Sequence, residues 1–168
     1  NIPSPSSLSG PSKDVSSSTA LVVTSNYINN IPPLERQALQ DLYNSTDGPN
    51  WYHVFGWNFS NPNANPCDEG WYGVICSADY HVKYLYLGYN SLRGTIPQSI
   101  YQLSYLQQLV LDGNQIIGFI PSSIGYLSSL QWLTLYSNNL RGTIPVTIGQ
   151  LSSLRDLSLS INQLTGTI

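Results

Sequence analysis

The chain has 168 residues, of which only 9% are charged, and its formal net charge at pH 7 is −3. This weakly acidic balance argues against nucleic acid or an anionic membrane as the main partner, because both attract basic surfaces. Hydrophobic residues make up 41% of the chain, which is enough to bury a solid core. No apolar run approaches the roughly 20 residues of a membrane span, so we expect no membrane insertion in this segment.

The first 30 residues are rich in serine, proline and threonine, a composition that cannot build a core alone and is typical of O-glycosylated stalks. They contain one short β-prone run, made of Ala20, Leu21, Val22 and Val23. Three hypotheses remain open for this run: it packs on the chain's own folded part, it is disordered, or it adds a strand to the sheet edge of a second copy. The last hypothesis makes these four residues the candidate assembly strand.

Residues 31–81 differ in composition and begin with a predicted amphipathic helix over residues 33–44. The expected apolar face of this helix consists of Leu34, Ala38, Leu39 and Leu42. Three tryptophans follow, and they are expected to fill the seam between this segment and the next: Trp51, Trp57 and Trp71. The sequence therefore predicts a small helical unit that packs against the part of the chain after residue 81.

Residues 82–168 repeat at a fixed spacing of 24 residues, with three full periods and the beginning of a fourth. The shared frame is L-x-x-L-x-L-x-x-N-x-L-x-G-x-I-P. Its L-x-L core predicts a short strand in which leucines point inward while Tyr84 and Tyr86 point outward. Stacking the coils builds a parallel sheet on one side of a solenoid, with one column of leucines formed by Leu85, Leu109, Leu133 and Leu157.

The remaining positions of the frame have structural explanations as well. An asparagine lies where each coil turns out of the sheet, where a buried amide can bond backbone groups of its own and the adjacent coil. A glycine then allows a tight turn, and a proline holds the return segment extended. These residues are Asn90, Asn114, Asn138 and Asn162, then Gly94, Gly118, Gly142 and Gly166, then Pro97, Pro121 and Pro145.

With the G-x-I-P-x-x-I-G-x-L version of the repeat, residues 82–168 resemble plant-type leucine-rich repeats. The resemblance extends upstream, because four segments are similar to that family's amino-terminal cap: LERQALQDLY, TDGPNW, GWN and CDEGWYGVIC. The resemblance therefore covers residues 33–168. It implies an α/β leucine-rich-repeat solenoid with a short parallel β-sheet, in three zones: an amino-terminal segment (1–30), a helical cap with one disulfide (31–81) and the repeats (82–168). Members of the family are extracellular receptor domains, cell-wall enzyme inhibitors and other secreted proteins.

The resemblance also implies that Cys67 and Cys76 form a disulfide in the cap, worth roughly 2–3 kcal/mol in the chain-entropy model. A zinc site is the alternative, but it would normally need four Cys or His ligands at tighter spacing. A structural disulfide indicates an oxidising, extracellular compartment. In a secreted eukaryotic protein, the tripeptides that begin at Asn44 and Asn58 would be acceptor sites for N-linked glycans.

The sequence shows no recognisable catalytic constellation, and no cofactor is expected. Neither histidine lies in a nucleophile motif, and there is no Gly-rich phosphate loop. Glycosidase chemistry needs two facing carboxyl groups, whereas the acids of the repeat strands, Asp112 and Asp156, occupy different columns two coils apart. We therefore predict that the protein is not an enzyme.

The outward strand positions form the candidate binding surface, which is expected to be the concave face of the solenoid. Its aromatic members are Tyr84, Tyr86, Tyr89, Trp132 and Tyr136. Tyrosine and tryptophan with little charge suit sugar rings or an aromatic-anchored protein contact, so a glycan or a protein is the expected ligand. The simpler alternative is that tyrosine merely fits an exposed strand surface.

Two functions therefore compete. The first is a secreted structural glycoprotein that acts as an interaction scaffold and assembles head-to-tail with other copies into filaments. The second is a ligand-recognition module, such as a receptor ectodomain fragment or a cell-wall enzyme inhibitor. The first is slightly favoured because the fourth repeat stops at Ile168 without a cap, and an open coil exposes leucines and an unpaired strand edge. Ice binding by the regular Ser/Thr surface is a third hypothesis.

Overall fold

The computed structural model describes residues 30–166, which contain one α-helix, nine strands and four short 3-10 turns. The helix α1 covers Pro33–Ser45, and the turns cover Gly48–Asn50, Gln98–Gln102, Ser122–Tyr126 and Val146–Gln150. The strands in chain order are β1 (Val74–Cys76), β2 (Val82–Tyr86), β3 (Arg93–Gly94), β4 (Gln108–Val110), β5 (Gln115–Gly118), β6 (Trp132–Thr134), β7 (Asn139–Gly142), β8 (Asp156–Ser158) and β9 (Gln163–Leu164). The candidate assembly strand, residues 20–23, lies outside the described residues.

Helix α1 lies within one residue of its predicted bounds, but one member of its expected apolar face is wrong. Leu34 is 64% exposed, and Glu35 takes its place in the buried stripe. Residues 35, 38, 39 and 42 follow the spacing i, i+3, i+4, i+7, so they share one side of the helix. Glu35 can be buried there because both oxygens of its carboxylate have hydrogen-bonding partners.

The three cap tryptophans are buried, as the sequence predicts, and each of their indole N–H groups donates a hydrogen bond. The Trp51 indole N–H donates to the Thr46 carbonyl at 2.8 Å, and that of Trp57 donates to the Tyr72 carbonyl at 2.9 Å. The Trp51 and Trp57 rings meet edge to face, with centroids 4.8 Å apart. Ring packing and indole hydrogen bonds together fix the cap's interior.

Cys67 and Cys76 form the disulfide that the family resemblance implies. Because both sulfur atoms are used in this bond, the zinc alternative is wrong. Cys76 is the last residue of β1, the strand that pairs antiparallel with β2. The disulfide therefore ties the preceding cap loop to the first sheet.

The first sheet has five strands in the order β1-β2-β4-β6-β8, and every pair after the first is parallel. Its register places Leu85, Leu109, Leu133 and Leu157 side by side, which confirms the predicted column. Leu85, Leu109 and Leu133 are fully buried, whereas Leu157 on the last strand is 40% exposed. The core thus runs through the stacked coils.

A second parallel sheet, in the order β3-β5-β7-β9, was not expected from the sequence. It forms just after the asparagine position of each coil, and α1 contributes to its edge. The backbone N–H groups of Arg93 and Thr95 donate to the carbonyls of Thr46 and Ser45, both at 3.0 Å. A Cβ at Gly94 would lie 2.1 Å from the Ser45 carbonyl oxygen, so only glycine permits this close approach.

The repeated asparagines form a ladder of amide hydrogen bonds between coils, as predicted. The Asn138 amide oxygen accepts from the Ile116 N–H at 3.0 Å in the preceding coil, and its NH₂ donates to Leu111 and Leu135. Asn90 has the cap in place of a preceding coil, and its amide bonds the backbone N–H and carbonyl of His53. The ladder is therefore continuous from the cap to the fourth coil.

Candidate functional site

The candidate site is the outer face of the five-stranded sheet, built from the strand residues whose side chains point away from the leucine core. Strand alternation presents two such residues on each of the four parallel strands. They are Tyr84 and Tyr86 on β2, Gln108 and Val110 on β4, Trp132 and Thr134 on β6, and Asp156 and Ser158 on β8. Apart from the exposed Asp156, all of these side chains are half-buried, and the eight residues comprise three aromatic rings, one amide and one charged group.

Two of the predicted tyrosines are held in a fixed arrangement on this face. The Tyr84 and Tyr86 rings stack with their centroids 5.9 Å apart, and the Lys83 ammonium lies 5.2 Å from the Tyr84 ring. The Tyr86 hydroxyl donates to the Gln108 side-chain oxygen at 2.7 Å. Burial raises the pKa of Tyr86, with a smaller contribution from neighbouring Tyr84.

Trp132 lies in the same row as Tyr84, with Gln108 between them on the intervening strand. The strand spacing puts the two aromatic residues roughly 10 Å apart. The guanidinium of Arg155 lies 5.9 Å from the Trp132 ring. Each of the two aromatic residues therefore has a cation at its ring, and an amide side chain lies between them.

The other two predicted tyrosines lie at the rim where the strands end. Tyr89 is in the turn after β2, has a φ of +52° and is 68% exposed. Its ring rests against Gly113, since a Cβ there would lie 2.4 Å from the ring. Tyr136 follows β6, and its carbonyl accepts from the Gly113 N–H at 2.9 Å. The structure thus brings Tyr84 and Trp132 into one row, with Tyr86 in the adjacent row, and places Tyr89 and Tyr136 at the rim.

Two ring contacts at this face were not expected from the sequence. The first is Arg155 over Trp132. The second is the stack of His81 on Tyr105, with centroids 3.8 Å apart, next to the start of β2 and β4. His81 and Tyr105 are one full period of 24 residues apart, so the repeat register alone could have paired them.

The histidines and acidic residues of the described part of the chain are not arranged as a metal site. Across residues 30–166, no three His, Cys, Asp or Glu side chains lie together as metal ligands. The His81 ring nitrogen Nδ1 bonds the buried Glu35 carboxylate, and the His53 ring stacks on Tyr72 at 4.6 Å. Both histidines therefore have structural contacts.

Comparison with known proteins decides the family. The family model described as the leucine rich repeat N-terminal domain matches residues 32–77, and the Leucine Rich Repeat model matches residues 81–103, 105–127 and 129–151. The ectodomain of the Arabidopsis thaliana receptor kinase SOBIR1 is 33% identical, with a TM-score of 0.64, and the match covers 80% of this chain and 70% of that one. The chain belongs to the leucine-rich-repeat family.

Other leucine-rich-repeat relatives match over smaller parts of their own length. A probable LRR receptor-like serine/threonine-protein kinase of Arabidopsis thaliana is 41% identical over 55 residues, which are 32% of this chain and 8% of the kinase. The crystal structure of a plant ice-binding protein is 29% identical, with a TM-score of 0.71, and covers 83% of this chain and 44% of its own. The chain is therefore homologous to plant receptor ectodomains and spans a small part of the curated kinase. In residues 30–166, no helix is long and apolar enough to cross a membrane.

Proposed function

We propose that this chain is a non-catalytic recognition module that binds a protein or peptide segment on the outer face of the five-stranded sheet. The observation that supports it most is the row Tyr84–Gln108–Trp132, with Lys83 and Arg155 at the two rings. Tyrosine, tryptophan and arginine are the residues that dominate binding energy at protein interfaces. The homology to the SOBIR1 ectodomain supports the same class of function.

The side chains of this row are already held in fixed positions, which favours binding. The rings are held by stacking, by cation contacts and by the Tyr86–Gln108 hydrogen bond, so little side-chain entropy remains to be lost when a ligand arrives. Gln108 lies between the two aromatic residues, where its amide can bond the backbone of an extended segment. Ice binding is not proposed, because the outward residues differ from coil to coil and do not form a regular Ser/Thr surface.

Replacing both Tyr84 and Trp132 with serine is expected to weaken peptide binding about tenfold or more, because it removes both aromatic anchors. The probe is a phage-displayed library of random short peptides, selected on the wild-type chain. Affinities of the selected peptides, made synthetically, are then measured for wild type and variant by calorimetry.

The matched control for this experiment is Tyr126→Ser, which removes an exposed tyrosine from the 3-10 turn at Ser122–Tyr126. Its affinity should equal that of the wild type. Peptides that bind the double variant as tightly as the wild type would contradict the proposal, as would a library that yields no binders.

We also propose that the protein is an extracellular glycoprotein with N-linked glycans at Asn44 and Asn58. Both side chains are exposed, Asn44 in the last turn of α1 and Asn58 in a cap loop. The hydroxyl of the second acceptor tripeptide, on Ser60, is exposed, whereas that of the first, on Thr46, is buried and donates to the Leu42 carbonyl at 2.6 Å. A glycan at Asn44 must therefore be added before the cap folds.

Expression in a eukaryotic secretory system is expected to give two N-glycans, with higher occupancy at Asn58 than at Asn44. The reason is that folding hides the Thr46 hydroxyl of the Asn44 acceptor tripeptide. Intact mass before and after treatment with an N-glycosidase measures occupancy, and Asn44→Gln and Asn58→Gln assign the two sites. An unchanged mass on treatment would refute glycosylation at both.

Self-assembly into filaments is the second candidate function, and one observation favours it. Leu157 of the fourth coil is 40% exposed, whereas Leu85, Leu109 and Leu133, which hold the same position in the earlier coils, are buried. Head-to-tail contact between unlike surfaces need not close and can produce a fibre. Residues 20–23 would supply a strand that pairs with a sheet edge of a second copy.

Sedimentation velocity tests self-assembly. The chain of 168 residues should form species that grow with concentration, whereas a chain without residues 1–30, and the variant Leu157→Lys, should both remain monomeric. Circular dichroism of each variant checks that the repeats are still folded. A chain of residues 1–168 that sediments as a monomer at high concentration would rule out the filament and leave recognition as the function.

A further inference from the structure

The second coil departs from the others at two solvent-facing positions of the second sheet. The first and third coils carry the sequence R-G-T there, and the second carries Ile117-Gly-Phe119. Ile117 is 52% exposed and Phe119 is 61% exposed, although both are large and apolar. Because polar residues hold the same positions in neighbouring coils, the fold does not require these two side chains.

A groove lies beside these two residues, and Phe119 is held in place next to it. The Phe119 ring packs against Gly142 of the next coil, where an added Cβ would lie 2.5 Å from the ring. The guanidinium of Arg141 lies 5.4 Å from the ring centre. The groove has a volume of about 380 Å³ and is lined by Thr95, Ile117, Gly118, Asn139, Arg141 and Gln163.

The charge of this surface is positive. Arg93 and Arg141 flank the second coil on either side and are exposed. In the described part of the chain, neither forms an ion pair or a side-chain hydrogen bond. The four strands of the second sheet contain no acidic residue. Arg93 and Arg141, neither with an anionic partner within residues 30–166, therefore lie on either side of an exposed apolar pair. The net charge of the whole chain is −3.

We propose that Ile117, Phe119, Arg93 and Arg141 form a second docking surface, which binds an acidic segment of a partner protein. The segment places an apolar side chain against Ile117 and Phe119, and its carboxylates pair with the two arginines. Charge complementarity favours an acidic partner, because arginine forms bidentate hydrogen bonds with carboxylates and the two cations repel basic segments.

A second copy of the chain is a poorer occupant for this surface. Many carboxylates in its described part are engaged in internal hydrogen bonds, namely those of Glu35, Asp41, Asp47 and Asp68. The partner is therefore expected to be a different protein.

The test uses the double variant Ile117→Arg/Phe119→Thr, which restores in the second coil the residues that the first and third coils already carry. The probe is again a phage-displayed library of random short peptides, now selected on the wild-type chain and depleted on this variant. The expected peptides combine acidic residues with an aromatic or aliphatic one. Their affinity should fall about tenfold or more in the double variant and in Arg93→Gln/Arg141→Gln.

The variant Tyr84→Ser/Trp132→Ser separates this surface from the sheet face, because it should leave the affinity of these peptides unchanged. If the peptides lose affinity in that variant, they bind the sheet face. That result would refute the second docking surface and leave the proposed function standing. Selection of basic peptides, or of none, would also overturn it. A dimer in sedimentation that the Ile117→Arg/Phe119→Thr change abolishes would show that a second copy is the occupant and contradict the proposal as well.

Discussion

Replacing Asn114 with leucine is expected to lower the free energy of unfolding by about 3–5 kcal/mol, because several buried backbone groups lose their partners together. The amide oxygen accepts from the N–H groups of Asn90 and Leu92, both at 3.0 Å. The NH₂ group donates to the carbonyls of Leu87 and Leu111, at 2.8 and 2.9 Å. Leucine fills a similar volume but can satisfy none of these four groups.

Urea unfolding followed by circular dichroism measures this loss, and Asn162→Leu provides a matched control. Asn162 is the equivalent residue of the fourth coil, where it is only half-buried and accepts a single N–H, that of Leu140. Water can reach the groups that this change leaves unpaired, so a smaller loss is expected. If the two variants lost the same free energy of unfolding, the view that burial of the asparagine determines the loss would be contradicted.

The 24-residue period was sufficient to predict the first sheet and the asparagine ladder. A solenoid places equivalent residues of successive coils side by side, so a constant period fixes the register of the strands without knowledge of any other contact. The column of Leu85, Leu109 and Leu133 and the outward position of Tyr84 follow from this and from strand alternation. The same register could also have predicted the stack of His81 on Tyr105.

The sequence was a weaker guide where a contact joins residues that are not one period apart. Glu35 can be buried because its partners, His81 and the Val82 N–H at the start of β2, come from 46 and 47 residues further along the chain, and no local pattern indicates them. A leucine beside it therefore looked like the better core residue, and the choice of Leu34 was wrong. The second sheet was missed for a related reason, since its strands are only two to four residues long and show no alternation.

The candidate site was predicted in part. Spacing identified the aromatic residues of the sheet face, but it could not show which of them lie together. Tyr89 is displaced to the rim because its backbone has a positive φ in the turn after β2, a feature of conformation that no spacing shows. The sequence shows the apolar pair of Ile117 and Phe119 as a departure from the repeat. The structure adds that both side chains are exposed and lie beside two arginines that have no anionic partner among the described residues.

The junction between cap and repeats depends on a small number of polar contacts, and Glu35 contributes two of them. One carboxylate oxygen accepts from the buried Val82 N–H at 2.7 Å, and the other bonds the His81 ring nitrogen Nδ1 at 2.5 Å. Val82 begins β2, the strand that carries Tyr84 and Tyr86. The position of the sheet face relative to the cap is therefore set in part by one buried acid.

Replacing Glu35 with leucine is expected to cost about 3 kcal/mol, since it leaves the Val82 N–H buried without an acceptor and removes the partner of His81. Glu35→Gln should cost less, because an amide oxygen can still accept from that N–H. Leu34→Gln, on the exposed neighbour, should change stability by no more than about 0.5 kcal/mol. Denaturant unfolding measures the loss for all three variants, and hydrogen exchange shows where in the chain it occurs.

In the Glu35→Leu chain, amides of β1 and β2 should exchange faster while those of β6 keep their protection, because stability in a solenoid is largely a nearest-neighbour property. Equal acceleration in β2 and β6 would mean that cap and repeats unfold as one unit, and would refute a role of Glu35 confined to the junction.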